Sequence, residues 1–361
     1  MKYNSRGNWE QGSEFPLMDY HSDKRTRHPW NESCLYMGSG RDAIRLLLDH
    51  GIENRGWLRL WIPGYFCQGV VETIQLSGIT VMVYNNNPLA DDQVWDNLPF
   101  EKGDVILVVN FFGLCSQPDY TSIDRQHVEI IEDHTHDPWS DWAWNSQADW
   151  GIASLRKTIP VPDGGVLWSP QGWALPSRVK STFEHRIASL EKLAAMVLKK
   201  YYLDELPIDK QTFRNLAMSG EEGIAVGQVS AMTPWTKEML NTIPVENWRE
   251  KRIQNYSKLT DVLKTCKWVQ TPKEILPGTC PLSVPLLFDK PLRRDHVRTR
   301  LIENSVYPAI LWDLDNPVIE GVSDQCCDIS RRILCIHCDM RYDEQTMEYL
   351  GKLISTYADE I

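Results

Sequence analysis

The sequence predicts an α/β protein in two parts: a large domain whose mostly parallel sheet lies between helices, then a smaller C-terminal α+β domain. Three observations carry this reading. Apolar runs such as 104–110 (DVILVVN) and 128–132 (VEIIE) alternate with helical patterns through the first part of the chain, and such alternation implies parallel strands joined by helical crossovers. The DVILVVN run is apolar continuously rather than at every second position, as in strands buried on both faces. A chain of 361 residues is too long for one small core and suits one large domain plus one smaller one.

In order, residues 1–32 are polar, with Phe15-Pro16-Leu17 as the only apolar island. They read as an arm that packs on a neighbour or stays loose. After Tyr36-Met37-Gly38-Ser39-Gly40-Arg41-Asp42 comes AIRLLLDHG, which places Ala43, Leu46, Leu47 and His50 on one helical face. Ser39 is a natural cap for that helix and Gly51 a natural stop. Residues 57–62 read as a strand, 68–77 as a helix and 79–84 as a strand rich in β-branched residues. Strand 104–110, a short helix near Pro118, and strands 128–132, 148–154 and 166–169 complete the large sheet.

A long helix is expected over 177–205. Residues 206–234, with Gly220, Gly223 and Gly227, read as irregular. Helical pattern returns over 235–263, broken at Pro244, and the domain boundary belongs near its start. This divides the chain into an arm (1–32), a large domain (33–234) and a small domain (235–361). The small domain alternates strand 282–288, helix 293–304, strand 332–336 and helix 344–357. The sequence contains no internal repeat and no low-complexity tract.

Hydrophobic content of 42% and charged content of 24% are those of an ordinary globular protein. The net charge of −11 gives no electrostatic reason to bind nucleic acid or an anionic membrane. Any anionic ligand therefore needs a local site of backbone N–H groups and a few basic side chains. With no apolar signal core and no run long enough to span a bilayer, a cytoplasmic protein is expected. Nine cysteines, an odd number, argue for reduced thiols over a disulfide framework. Cys335-Ile336-His337-Cys338, near Cys326-Cys327, lacks a second CxxC pair or an HxxxH, so no metal site is expected. The fifteen tryptophans are read first as core.

Three signals in the large domain point to chemistry. Gly38-Ser39-Gly40 opens a helix, whose free N–H groups and positive dipole end suit a phosphate; a plain glycine turn before a core helix has the same look. Asp133 ends a buried apolar strand, where a carboxylate can pair with a cationic ring nitrogen and stay ionised, or simply cap a turn. His134 and His136 follow it, able to hydrogen-bond a ligand hydroxyl or brace the loop. Lys157 ends another strand, before Pro160-Val161-Pro162-Asp163-Gly164-Gly165. Beside the cation Arg156, and if crowded, its amine has a lowered pKa and can act as a nucleophile; the alternative is a solvated surface lysine. Taken together, a phosphate-binding helix start, an aspartate for a pyridinium nitrogen and a lysine for a Schiff base are what pyridoxal 5'-phosphate requires.

These residues resemble the DegT/StrS family of pyridoxal-phosphate-dependent aminotransferases, of the aspartate-aminotransferase fold (fold type I), from about Ser33 onward. Ser39-Gly40-Arg41-Asp42-Ala43-Ile44 is similar to the family's phosphate loop SGTxAL, with Arg41 in place of the threonine. Ile131-Glu132-Asp133-His134-Thr135-His136 is similar to IEDxAH/Q, which implies that Asp133 meets the pyridine nitrogen and His136 lies near the ring hydroxyl. Ser154-Leu155-Arg156-Lys157 followed by Gly164-Gly165 resembles the lysine loop, where a GG pair begins seven residues after the Schiff-base lysine. Ser154, by analogy a phosphate ligand, stands three residues before the lysine where the family's serine stands five before. The ring-stacking aromatic of the family falls here on Cys67, in Pro63-Gly64-Tyr65-Phe66-Cys67, leaving Phe66 or Tyr65 as substitutes or none. Lys251-Arg252 and Asn255-Tyr256 resemble a basic, Asn-containing helix of the family and are expected to be structural. Tyr307-Pro308-Ala309-Ile310-Leu311-Trp312 resembles a small-domain segment where substrate contacts occur.

The resemblance implies catalysis by Lys157 and Asp133. It implies cofactor contacts from Gly38, Ser39, Gly40, Arg41, Phe66, Cys67, Asp133, His136, Ser154 and Lys157. It further implies a homodimer, with a small-molecule amino donor such as glutamate and a keto sugar attached to a nucleotide as acceptor. Two alternatives stay open: an aminotransferase of a non-sugar natural-product pathway, and a non-catalytic binding or regulatory protein that keeps the fold.

Overall fold

The computed structural model describes residues 7–20, 26–30, 33–90, 94–272 and 274–361. The chain forms β1 (Gln11–Gly12), β2 (Leu35–Met37), α1 (Gly40–Asn54), β3 (Arg59–Pro63), α2 (Gln68–Gln75), β4 (Thr80–Tyr84), β5 (Asp104–Val109), β6 (Val128–Asp133), α3 (Asp141–Trp144), β7 (Trp150–Ser154) and β8 (Gly165–Trp168). It continues through α4 (Phe183–Leu203), α5 (Lys210–Val226), α6 (Pro234–Met239), α7 (Val245–Leu263), β9 (Val269–Gln270), β10 (Ser283–Phe288), α8 (Pro291–Glu303), β11 (Val306–Tyr307), α9 (Asp324–Arg332), β12 (Ile333–His337) and α10 (Glu344–Ala358).

Seven strands make the central sheet in the order β2-β8-β7-β6-β5-β3-β4. β7, β6, β5, β3 and β4 pair in parallel, while β8 runs antiparallel to both of its neighbours. β5 and β7 are buried along their whole length, as expected for strands covered on both faces. Three antiparallel strands, β12-β10-β9, form a second sheet, with α7, α8 and α9 packed on it and α10 against α7 and α8. Among the described residues, no helix is long and apolar enough to cross a membrane.

Side-chain caps start many of these helices. Ser39, Thr182, Asp209, Ser323 and Asp343 each accept a hydrogen bond from a first-turn amide. Several expectations are corrected. α1 runs past Gly51 to Asn54 and the chain turns at Gly56, where φ is +72°. Gly51 is glycine because a Cβ there would enter the ring of Trp57. No helix forms near Pro118; a 3₁₀ turn at Phe111–Gly113 precedes it. The long helix starts at Phe183, and α9 was not anticipated.

The largest difference lies in 206–234, expected to be irregular, which contains the 17-residue helix α5. Its glycines are there for close packing against α4. A Cβ on Gly223 would come within 2.8 Å of the Ala188 Cβ, and one on Gly220 within 2.5 Å of the Lys192 Cγ. The arm also differs, although parts of it lie outside the described residues. β1 pairs in parallel with β11, and Leu17 donates its N–H to the Met196 carbonyl at 2.8 Å. The arm thus packs back onto its own chain.

Candidate functional site

Parallel register sets the position of the site. Asp133, the last residue of β6, pairs with Val109 at the end of β5 and with Ile152 near the end of β7. These strands open at one carboxyl edge, where ligands of such sheets bind. A cavity of about 270 Å³ lies there, bounded on one side by the start of α1. Ser39, Gly40, Arg41, Phe66, Cys67, Asp133, His136, Ser154 and Lys157 all line it. Gly38 does not. It sits behind the loop, donating to the Ser230 carbonyl and accepting from Gly164 N, each at 2.7 Å. A Cβ on Gly38 would strike the His185 ring.

The glycines let α1 start against the sheet. A Cβ on Gly165 would meet the Ser39 carbonyl, and one on Gly40 would come within 2.9 Å of the Ser154 Cβ. Gly164 has φ +124°, a conformation that favours glycine. The Ser39 hydroxyl is already used: it accepts from Asp42 N at 3.1 Å and donates to the Asp42 carboxyl at 2.7 Å. What remains for an anion is the backbone N–H groups of the first turn.

Asp133 is buried, and its carboxylate accepts the Thr135 N–H at 2.8 Å. Burial pushes its pKa up, against the hydrogen bonds from Thr135. Among the described residues it has no ion-pair partner, so a cationic group in the cavity would relieve it. Lys157 ends the 3₁₀ turn Leu155–Lys157 and is exposed because it borders open cavities. Its amine has no hydrogen bond or ion pair among the described residues. The neighbouring Arg156 guanidinium, followed by desolvation, lowers its pKa from 10.5 to about 8.

His136 is held in one tautomer. Phe112, at φ +57°, directs its N–H to His136 Nδ1 at 2.8 Å, so Nε2 carries the proton of the neutral ring. The ring is neutral because burial, with Lys157 adding to it, brings its pKa down to about 3. His136 stacks on Trp312 with centroids 5.6 Å apart at 23°, and Phe66 meets Trp312 edge-on at 6.0 Å. Tyr65 is buried below, its hydroxyl donating to the Leu311 carbonyl. The aromatic wall of the cavity is therefore Phe66, His136 and Trp312, with the Cys67 thiol where the resemblance has a stacking ring. His134 lies outside it. That ring contacts Glu132 at 2.9 Å, and Glu132 also accepts from Tyr120, Trp142 and Ser146. This buried network gives part of the Trp-rich segment a structural role.

Sequence reasoning missed Thr135, whose hydroxyl accepts from Ser154 N at 3.0 Å, and Glu221 on α5. Glu221 takes both ends of the Arg156 guanidinium, at 2.5 and 2.6 Å, and Lys192 at 2.8 Å, with Arg41 at 3.5 Å. Burial opposes ionisation of Glu221, but Arg156 and Lys192 outweigh it and hold the carboxyl well below the usual range. Its only sequence signal was an acidic residue in a segment with no visible partner. A second cavity of about 540 Å³ adjoins the first, and Arg156, Lys157, Glu221, Leu282 and Leu311 line both. Cys326, Cys335 and Cys338 are buried in the core, and burial raises all three thiols. Among the described residues, no cluster of three His, Cys, Asp or Glu could hold a metal.

The donor set fits pyridoxal 5'-phosphate: a buried carboxylate lacking a cation, a free amine of lowered pKa, a neutral imidazole N–H donor and a glycine-framed helix start. No protein-family model and no curated protein sequence matches the chain. Solved structures do match in fold. PseC of Helicobacter pylori, an aminotransferase of pseudoaminic acid biosynthesis, is 11% identical, with a TM-score of 0.65 over 98% of this chain and 100% of that one. A DegT/DnrJ/EryC1/StrS aminotransferase from Brucella abortus is 14% identical, with a TM-score of 0.55 over 91% and 86%. DesI, crystallised in the presence of its TDP-sugar product, is 14% identical, with a TM-score of 0.58 over 91% and 81%. The fold is the one these aminotransferases share, fold type I.

Proposed function

We propose that this chain is a pyridoxal 5'-phosphate-dependent aminotransferase of the DegT/StrS type. It would move an amino group from an amino acid such as glutamate to a keto sugar carried on a nucleotide. The observation that carries the reading is the convergence of Asp133 and Lys157 on one cavity, the first lacking a cation and the second a free amine. Support for a nucleotide-sugar acceptor comes from the fold neighbours, one of which was crystallised with a TDP-sugar product.

When bound, the cofactor supplies an electron sink for the carbon that loses its proton. The protein residues do the rest. Lys157 would hold the cofactor covalently and, as a free amine, would move the proton at the substrate carbon as general acid and base. Its lowered pKa keeps a useful fraction neutral near physiological pH. Asp133 binds the protonated ring nitrogen, which returns the buried carboxyl to its ionised form. His136, neutral with its proton on Nε2, is a donor for the ring hydroxyl. The first-turn amides at Ser39, Gly40 and Arg41, with Ser154 beside them, would hold the phosphate, and Phe66 and Cys67 would border the ring.

The division into a large cofactor domain (33–234) and a small domain (235–361) belongs to this reading, as does a homodimer. A self-associating surface is supported by exposed Phe183, Ile187 and Leu190 at i, i+4, i+7 spacing on α4. The test is a single turnover. With cofactor bound, glutamate or another amino acid should convert the enzyme to the pyridoxamine form, and borohydride should trap a cofactor adduct on Lys157. Lys157→Ala should abolish that adduct. Failure of conversion with every donor would leave the non-catalytic binding reading standing instead.

A further inference from the structure

The second cavity is cationic within a protein of net charge −11. Arg156, Lys157, Lys192, Arg252 and Arg341 line it, against Glu14, Glu221 and Asp339. Arg341 is matched by Asp339. Arg252 is different: it is buried, donates to the Thr158 and Leu282 carbonyls, and has no carboxylate within ion-pair distance among the described residues. A buried guanidinium facing a cavity, with Asp339 and Asp137 acting on it only from beyond ion-pair distance, is a place for an anion.

Arg156 is the second guanidinium in that wall and stands next to Lys157 in sequence. Its side chain is 8% exposed and its Nη atoms form a fork on Glu221, while Nε is buried with no hydrogen-bond partner. Glu221 thus already shows that this fork accepts a carboxylate, in two-point geometry. Glu221 does not depend on Arg156 alone, since Lys192 and Arg41 also contact it. It can release the fork and remain ion-paired. An amino acid whose amine takes the place of Lys157 carries its carboxylate on the adjacent carbon, within cavities that Arg156 lines together with Lys157.

We infer that Arg156 is the carboxylate receptor for the amino donor and that Glu221 is an internal carboxylate occupying its fork until the donor displaces it. Arg252, across the same cavity, takes a second anionic group of a dicarboxylic donor. This rests on the aminotransferase reading for the meaning of "donor", while the fork itself is a property of the chain. Lysine cannot substitute for Arg156, because an ammonium offers a point charge and no planar pair of donors.

Glutarate, a dicarboxylate without an amine, tests this by titration calorimetry on the cofactor-saturated protein. Wild type should bind it saturably. Arg156→Gln should weaken binding by about tenfold or more, the size expected for losing a buried two-point charge pair. Arg156→Lys should fall between the two, and Glu221→Gln should tighten binding about threefold or more by weakening the internal competitor. Cofactor affinity, read from the visible absorbance of the bound cofactor at a pH well above the Lys157 midpoint of both proteins, so that the amine is neutral in each, should change less than about twofold in Arg156→Gln. Unchanged glutarate binding in Arg156→Gln overturns the assignment. So does a parallel loss of cofactor affinity, which would give the fork to the cofactor phosphate. A protein that binds no cofactor refutes the aminotransferase reading alone, since the same glutarate titration on cofactor-free protein still reads the fork.

Discussion

Removing Arg156 should raise the pKa of Lys157. The amine stands at about 8, against 10.5 for an ordinary lysine, and the neighbouring guanidinium is the largest cause. That difference of about 2.5 pH units makes the neutral amine roughly 300-fold more abundant near neutrality than in a free lysine. Arg156→Gln removes the largest lowering influence and leaves Glu221, which favours the charged amine, without one partner. The midpoint should therefore climb by about one unit or more, which is about 1.4 kcal/mol or more of differential interaction. Glu221→Gln acts in the opposite direction and should lower it. The assay is competitive trace acetylation of cofactor-free protein across pH, with the Lys157 peptide quantified by mass spectrometry. This reads the amine itself, independent of turnover. A wild-type midpoint near 10.5, or one that stays put in Arg156→Gln, would refute the electrostatic argument.

Other perturbations follow from the same contacts. Asp133→Asn should slow the amino-acid half-reaction about 100-fold or more, by removing the carboxylate that keeps the ring nitrogen protonated. Its urea unfolding midpoint should hold or rise, because a buried carboxylate without a counter-ion is lost. Glu132→Ala strips the acceptor from Tyr120, Trp142, Ser146 and His134. Urea unfolding should show a loss of about 3 kcal/mol or more; a loss under about 1 kcal/mol would mean the network is not a stabilising unit. Gly223→Ala forces a methyl against Ala188 and should cost about 1–3 kcal/mol. By moving Glu221 away from Arg156 it should also shift the Lys157 midpoint in the acetylation assay.

The central sheet was legible because its strands carry their own evidence. β5 and β6 are apolar runs that read directly as strands of a parallel sheet, and parallel pairing brings Asp133 and Ser154, at the carboxyl ends of β6 and β7, to one edge. The Gly164-Gly165 pair was legible through its resemblance to a family loop, and the packing reason for Gly165 is that a Cβ there would meet the Ser39 carbonyl. α5 was not. Gly220 and Gly223 are usual helix weakeners, and only the presence of α4 turns them into contact points. The aromatic wall was hidden for a similar reason: Trp312 reaches His136 from a segment far along the chain, so no local pattern could choose among Tyr65, Phe66 and Cys67.

The failure to see α5 also explains why Arg41 looked anomalous. Taken against a phosphate loop that carries threonine, an arginine there reads as an isolated departure, and Arg156 only as the cation beside the lysine. Glu221 joins them. The two arginines, with Lys192 from α4, surround one carboxylate supplied by α5, so Arg41 belongs to a single electrostatic unit with them. Its parts have opposite effects on Lys157: Arg156 and Lys192 lower the amine's pKa and Glu221 raises it. Whatever anion enters next to Lys157 must compete within that balance, which ties the reactivity of the lysine to the charge of its ligand.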